Sequence, residues 1–408
     1  MEFDFAVKTL NEGSAQLLVP QIGDTSAAYL DHLLSRAPVF YNPRMKLNRD
    51  IAVLALQVYQ RRSGRRLVVC EPMCGTGVRG IRMIREVEGV EKLVMGDLNP
   101  LATKLASFNM ELNNLEGRAV VRNLEANLLF ALHSAPNKHF DYIDLDPFGS
   151  PVYYLDSAVR ALRNGGLLAV TATDMAPLCG AHHQACLRKY GALPLHSEYC
   201  HEVALRILIG ALASAAARHE KAATIVFGHS TDHYVRAYAV LEHGAESTSK
   251  SLEEMGYILH CPRCLNRRVA HGIHDVGSTL CDECGKTMII AGPLWLGPLS
   301  EASFCDEMIE EAERHGFGEK RLMRLLRAIR SESGYPPTYF NIDTISDLLN
   351  LPSPPTEEFL RALRRAGYKA VRTHFHPRGI KTDAPIKAMK EVLLNSGAGR
   401  SGRDLDER

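Results

Sequence analysis

The stretch "RLVVCEPMCGTGVRG", residues 66–80, decides how the chain folds. The apolar run Leu67 to Cys70 predicts a buried strand that ends in Glu71. A short spacer leads to Gly75-Thr-Gly77-Val-Arg-Gly80, and a helical pattern opens at Val78. Strand, glycine turn and helix make one βα unit, and the unit repeats downstream. "KLVMGDLNP" (92–100), "RAVVRNLEAN" (118–127), "FDYIDLDP" (140–147) and "LLAVTATD" (167–174) read as strands. Helical patterns at 101–113, 152–166 and 197–220 follow three of them, and "RDIAVLALQVYQRR" before Gly64 reads as a helix ahead of the first. "ATIVFGHSTDHYVRAYAVLE" (223–242) reads as two strands around a turn. The alternation predicts an α/β fold with a doubly wound, Rossmann-like sheet, mostly parallel, with an antiparallel pair at its edge.

The chain has 408 residues, enough for two or three domains; 46% are hydrophobic and 23% charged, ordinary for a globular protein. The first twenty residues lack a basic stretch followed by an apolar one, which argues against a signal peptide. The longest apolar run, 204–217, reads as too short to span a bilayer and follows Glu198, His201 and Glu202. A soluble cytoplasmic protein with no membrane partner is expected. Composition shifts near residue 250. The expected division is a domain over 1–250, with an N-terminal extension, and a smaller α+β unit over 251–408.

The glycine loop has two readings. In a dinucleotide site the first glycine follows the strand directly. Here three residues separate Glu71 from Gly75. An acid, a spacer and then GxG suits S-adenosyl-L-methionine, whose methionine end carries an ammonium and which has no pyrophosphate to cradle. Asp97 ends the next strand, where a carboxylate can accept both ribose hydroxyls, and Glu125 follows the third, where the adenine edge would be read. Each acid alone is as easily a helix cap or turn residue. Three in register behind a glycine loop predict a bound cofactor, and a class I methyltransferase sheet to hold it.

"DLDPFG" (144–149) ends the fourth strand beside that cofactor site. A turn accounts for Asp, Pro and Gly but not for the ring of Phe148. An exocyclic amine on a base is a poor nucleophile, because its lone pair is delocalised. The Asp146 carboxylate and the Pro147 carbonyl can each accept an N–H and so direct the lone pair at a methyl group. Phe148 offers a face on which an extruded base stacks.

Two pairs, Cys261-Cys264 and Cys281-Cys284, flank a sixteen-residue spacer. That spacing predicts four thiolates on a structural Zn2+, with no open position for chemistry. Between Phe359 and Arg403 eleven basic residues (Arg361, Arg364, Arg365, Lys369, Arg372, Arg378, Lys381, Lys387, Lys390, Arg400 and Arg403) face two acids. Such one-signed charge fits an anionic partner, nucleic acid first.

In their order, "EGSAQLLVP", "FYNPRMKLNRD", "GTGVRGIR", "DLDPFGSP", "HYVRAY" and "HPRGIKTDAP" resemble the tRNA (guanine-N2)-dimethyltransferase family over most of the chain. The glycine loop departs from the family's usual wording, and Glu125 stands where an Asp is common. The resemblance implies S-adenosyl-L-methionine as methyl donor, tRNA as partner and two methyl groups placed on the amine of guanine 26. It also implies Arg49, Arg79, Asp97, Glu125 and Ala126 as cofactor contacts and Asp146 as the catalytic residue. Two other readings stay open: a nucleic-acid adenine-N6 methyltransferase, and a non-catalytic zinc-ribbon RNA-binding protein. The sequence sets no oligomeric state, and a monomer is compatible with it.

Overall fold

A computed structural model of the chain describes residues 3–21 and 36–401. The chain opens with a hairpin of β1 (Val7–Glu12) and β2 (Ala15–Pro20). The repeated βα unit then lays down β3 (Leu67–Glu71), β4 (Val90–Asp97), β5 (Ala119–Asn123), β6 (Phe140–Leu145) and β7 (Leu162–Ala172). β8 (Lys221–Thr231) and β9 (Tyr234–His243) complete the sheet. Its order is β5-β4-β3-β6-β7-β9-β8. β3 to β7 run parallel, and β9 is antiparallel to both β7 and β8, as the sequence predicts.

Local chemistry sets the helices between these strands. Asn99 caps Pro100–Leu112, its side chain accepting the Leu101 N–H at 2.9 Å with proline in the first turn. Lys46–Ser63 ends at Gly64, which takes the left-handed conformation (φ 63°) that closes a helix. The helix expected over 152–166 stops at Ala161, and residues 162–166 join β7, where Leu162 pairs with Phe140.

Residues alternate along the central strands between two apolar layers. In β6, Tyr142 packs with the helices Lys46–Ser63 and Val78–Glu86, and Ile143 packs with Val152–Ala161 and Cys200–Ala217. The first layer also takes Phe304, Met308, Leu322 and Leu326 from the helices Ala302–Arg314 and Lys320–Glu332. The second takes Ile258 from β10 (Met255–His260) and Leu294 from β12 (Ile289–Trp295), which flank β10 together with β11 (Arg267–Ala270). The compositional break at residue 250 is therefore crossed by the core. A separate apolar cluster forms later, around Phe340, Ile345, Phe359, Leu363 and Met389. There β13 (Phe340–Asn341), β14 (Ala370–Arg372) and β15 (Gly379–Thr382) form a small sheet with β15 in the middle.

Cys200–Ala217 is longer than its apolar run suggests and, by length and composition, could cross a membrane. In this fold it is a core helix, buried against β8, β9 and β12. It also carries a buried charge cluster. Glu202 Oε1 accepts from Arg206 Nη2 at 2.8 Å, from Lys381 Nζ at 2.7 Å and from the Thr338 N–H at 2.8 Å. Lys381, counted above among cations for a nucleic acid, is thus a structural residue of β15. Burial raises the Glu202 pKa, but Lys381 and Arg206 outweigh it and hold the carboxyl at about 2, from an ordinary 4.5. A lowered folded pKa gives stability that is complete above the unfolded value. It is lost as pH falls from 4.5 toward about 2. Glu202→Gln leaves two buried cations short of a counter-charge, and should cost roughly 3 kcal/mol at pH 7. It should also flatten the acid limb of the stability profile. Equal urea midpoints at pH 7 with parallel acid profiles would show that the cluster contributes nothing.

Candidate active site

In a doubly wound sheet the ligand site lies past the carboxyl ends of the strands, where connections leave a central strand in opposite directions. Here that point lies between β3 and β6, since the chain goes from β3 outward to β4 and β5 and returns to β6 on the other side. A cavity of about 330 Å³ opens there. Gly75, Asp97, Glu125, Ala126, Asp146, Pro147 and Phe148 all line it. Phe40, Met45, Pro72, Met73, Leu98, Tyr154 and Thr173, to which the sequence did not point, complete the wall.

The loop after β3 is shaped by its glycines. Gly75 has φ +52°, and a Cβ there would lie 2.9 Å from the Phe40 carbonyl oxygen. Gly77 (φ +77°) heads the helix Val78–Glu86 and packs against Ala106. Asp97 Oδ2 accepts the Gly75 N–H at 2.9 Å, and Oδ1 accepts the Asn99 N–H at 2.9 Å. One carboxylate therefore sets both the glycine loop and the entry to the next helix. Glu125 caps Ala126–Leu132, with Oε2 accepting the Leu128 N–H at 3.1 Å. Capping leaves acceptor positions free at both acids, because each carboxylate has more than two.

Asp146 is held from behind. Arg79 Nη2 donates to its Oδ2, while Arg79 Nη1 donates to Asn48 Oδ1 at 2.6 Å. Arg79 Nε also lies 3.5 Å from Asp144 Oδ1 and 3.8 Å from Glu71 Oε1. Asp144 Oδ2 accepts from Arg236 Nη2 at 2.5 Å and from the Tyr142 hydroxyl at 2.6 Å. Burial disfavours the Asp144 charge, yet Arg236 and Arg79 hold its pKa below the usual carboxylate range. Glu71 goes the other way, pushed up by burial to about 8, with Arg79 opposing and Asp144 adding to the rise. Among the described residues, Asp146 Oδ1 has no hydrogen-bond partner. The DPFG turn is closed by Thr173, whose Oγ1 accepts the Gly149 N–H at 2.7 Å and whose N–H donates to the Gly149 carbonyl. Phe148 is 75% exposed and meets Phe40 edge-on, with ring centroids 4.7 Å apart.

Four predicted cofactor residues lie outside the cavity wall. Glu71 accepts the Gly80 N–H at 2.9 Å and faces Arg79. Arg79 is taken up by Asp146, Asp144 and Asn48, and Gly77 supports the loop from below. Arg49 grips the buried Glu12 carboxylate, through Nε at 2.6 Å and Nη2 at 2.5 Å, and reaches the Asn42 carbonyl at 3.2 Å. It thereby ties the N-terminal hairpin to the helix Lys46–Ser63.

The fold brings the four predicted cysteines together. Cys261 and Cys281 each start a turn that reverses at a left-handed residue, Leu265 (φ +65°) and Gly285 (φ +68°). The Sγ atoms of Cys261, Cys264, Cys281 and Cys284 lie within 4.8 Å of one another. Cys179, Cys200 and His201 make a second such group, which the sequence analysis did not notice.

The basic tail is largely committed elsewhere. Arg364 donates to the Ala370 carbonyl, Arg372 to Glu357, Arg378 to Asp343, and Lys390 to the Cys264 carbonyl. Arg361, Arg365, Lys369 and Lys387 are exposed. Arg403 and the side chain of Arg400 lie outside the described residues.

The family model for N2,N2-dimethylguanosine tRNA methyltransferases matches residues 13–394. The chain belongs to this family. It is 41% identical to the tRNA (guanine(26)-N(2))-dimethyltransferase of Methanothermobacter thermautotrophicus, over 94% of this chain and 98% of that one. It is 36% identical to the tRNA (guanine(26)-N(2)/guanine(27)-N(2))-dimethyltransferase of Aquifex aeolicus, over 95% and 96%. The solved complex of Trm1 from Pyrococcus horikoshii with S-adenosyl-L-methionine superposes with a TM-score of 0.81, at 36% identity, covering 95% of this chain and 99% of that one. The fold is that of an α/β methyltransferase. With the dimethyltransferase family established over nearly the whole chain, the adenine and inert-ribbon readings are set aside.

Asp97→Ala removes the anchor of Gly75 and, if the cofactor's ribose lies at this carboxylate as expected, its acceptor as well. Affinity for S-adenosyl-L-methionine should fall by roughly 1.5–3 kcal/mol, the scale of lost charge-assisted hydrogen bonds. Calorimetry that finds unchanged affinity would remove Asp97 from the cofactor site.

Proposed function

We propose that this chain transfers two methyl groups from S-adenosyl-L-methionine to the N2 amine of guanine 26 in tRNA. The observation that carries this is the state of Asp146. One carboxylate oxygen is fixed by Arg79, and the other is left to a cavity that also exposes Phe148. The named activities of full-length relatives support the same reading.

The cavity suits the cofactor chemically. Asp97 and Glu125 offer acceptors for ribose hydroxyls and an adenine amine, Ala126 and Leu98 offer apolar contact, and the tight turn at Gly75 lets backbone approach a ligand. When bound, S-adenosyl-L-methionine supplies an electrophilic methyl group. The chain's own part is positioning. Asp146 Oδ1 and the Pro147 carbonyl accept the two amine N–H groups, which turns the nitrogen lone pair toward the donor. The carboxylate stabilises positive charge as it grows on nitrogen and lies within reach of the proton that must leave. Phe148 stacks the extruded base, and Phe40 braces Phe148. After the first transfer one N–H remains, so a single acceptor must hold the amine for the second.

We further propose a structural Zn2+ on Cys261, Cys264, Cys281 and Cys284. Cys261 and Cys284 Sγ are 3.4 Å apart, and Cys264 and Cys281 Sγ are 3.5 Å apart. A disulfide needs about 2.05 Å, whereas thiolates tetrahedral about zinc lie about 3.8 Å from one another. These distances support a metal over disulfides. Four sulfurs close the coordination sphere, so the ion would staple two turns and take no part in methyl transfer.

Asp146→Ala should abolish methylation of tRNA while leaving affinity for S-adenosyl-L-methionine nearly intact. Asp146→Asn should retain some activity, since an amide oxygen still accepts a hydrogen bond. Turnover of the Ala variant near the wild-type rate would refute the role given to Asp146, and a wild-type product other than dimethylguanosine would refute the function.

Purified protein should carry one zinc per chain, and Cys281→Ser should lose it and unfold at lower denaturant, because metal binding and local folding are coupled. Metal analysis that finds no zinc, or zinc retained in Cys281→Ser, would refute the assignment.

A further inference from the structure

A second cleft lies on the same rim of the sheet as Asp146. β9 is antiparallel to β7, with Ala172 opposite Val235, so the β8–β9 turn comes out at the carboxyl ends of the parallel strands. β8 is the third strand from β6, a lateral separation of roughly 14 Å at ordinary strand spacing. Beside that turn, the helix Lys320–Glu332 and the segment Arg372–Pro377 enclose a space of about 480 Å³. Its wall carries Arg321, Arg324, Arg372, His201, His374 and His376.

Three of these six groups are already accounted for. Arg321 Nη2 donates to Asp232 at 2.5 Å, and Arg372 Nε to Glu357 at 2.6 Å. His374 is buried between Glu332, 2.8 Å from its Nδ1, and the Ser230 N–H, which donates to its Nε2 at 3.2 Å. Both ring nitrogens are thus taken up within the fold. Arg324 differs. It is exposed, and among the described residues no hydrogen bond or ion pair is found for it. His376 accepts the Arg378 N–H at its Nδ1, at 3.1 Å, so its Nε2 bears the proton. The cleft thus offers an uncommitted guanidinium and an imidazole N–H, with Phe375 and Pro377 as apolar lining. Among the described residues, no acid lines it except Asp232, which Arg321 neutralises.

We propose that this cleft seats a backbone phosphate of the substrate tRNA a few nucleotides from the target guanine, with Arg324 as its ionic partner and His376 Nε2 as a second donor. The proposal rests on tRNA being the substrate. It moves part of the electrostatic grip away from the C-terminal tail, where Arg364, Arg372 and Arg378 are committed to the fold, to the rim that carries Asp146. A phosphate held there fixes the strand beside the extruded base and carries no sequence information.

The test uses the full chain and bulk tRNA. Arg324→Ala should weaken tRNA binding roughly tenfold, and should lower the log–log salt slope by about one unit. Affinity for S-adenosyl-L-methionine and kcat at saturating tRNA should stay as in wild type. Arg324→Lys, which keeps the point charge, should restore the slope. His376→Gln should weaken binding with the slope unchanged, because His376 serves as a hydrogen-bond donor and not as the ionic partner. Inorganic phosphate should compete with tRNA more strongly in wild type than in Arg324→Ala. Wild-type tRNA affinity and salt slope in Arg324→Ala would overturn the proposal. So would a cleft that takes inorganic phosphate with no effect of the variant on tRNA, which would make it a site for a free anion. Failure of the functional reading looks different, since wild-type protein would then methylate no tRNA at all.

Discussion

Two arginines buried among aspartates hold the active edge of the sheet together. Arg79 comes from the helix Val78–Glu86, Arg236 from the antiparallel strand β9, and Asp144 from near the carboxyl end of β6; each is 5% exposed or less. Arg236 also donates to Thr171 at 2.5 Å and to the Tyr238 hydroxyl at 2.8 Å. Taking such charges out of water costs several kcal/mol each, and only close, hydrogen-bonded partners offset it. The arrangement is therefore intolerant of displacement. A one-residue slip of β6 would turn Asp144 to the other face of the sheet and leave both guanidinium groups without it. The register that satisfies Asp144 is the one that delivers Asp146 to Arg79 and Phe148 to the cavity.

The strand-end acids divide into two kinds. Glu71 and Asp144 face inward and hold the scaffold; Asp97, Glu125 and Asp146 face the cavity with at least one anchored oxygen. Burial decides between the kinds. Burial pushes Glu71 up to about 8, which favours its neutral form and lets the two arginines answer the two aspartates. A third carboxylate charge in this cluster would repel its neighbours at short range in a medium that screens poorly.

Much of this was legible in the chain. The apolar strands, the glycine loop, the acids after β4 and β5, and the DPFG turn all fall where their periodicity and turn chemistry place them. The cysteine turns do too, because CxxC spacing fixes local geometry. What could not be read was the choice of partner across long separations. Nothing near Arg49 in sequence says that Glu12 will claim it, and nothing near Lys381 points to Glu202. Phe40 was unremarkable in "VFYNP", since its role depends on meeting Phe148 across the cavity. The division at residue 250 marks a real change in composition, but the helices Ala302–Arg314 and Lys320–Glu332 carry apolar faces that the first domain's sheet completes. Patterning reveals such a face without naming what covers it.

The same partner problem governs the basic C-terminal half. Eleven cations against two acids suggested an unbalanced surface, yet the balancing groups come from other segments. Glu202 takes Lys381, Asp343 takes Arg378, and backbone carbonyls take Arg364 and Lys390. Arg267 adds a further tie. It donates to Thr338 Oγ1 at 2.8 Å and to Glu198, with its guanidinium 3.9 Å from the Tyr199 ring centroid and 4.0 Å from that of Phe340. These ties run from the cysteine segment and from β15 to the N-terminal end of one core helix and the residues before it. A unit fastened this way cannot swing independently of the sheet without exposing buried charges. A backbone gripped at Arg324 would then stand at a fixed offset from Asp146, as the extrusion of one base into a small cavity requires.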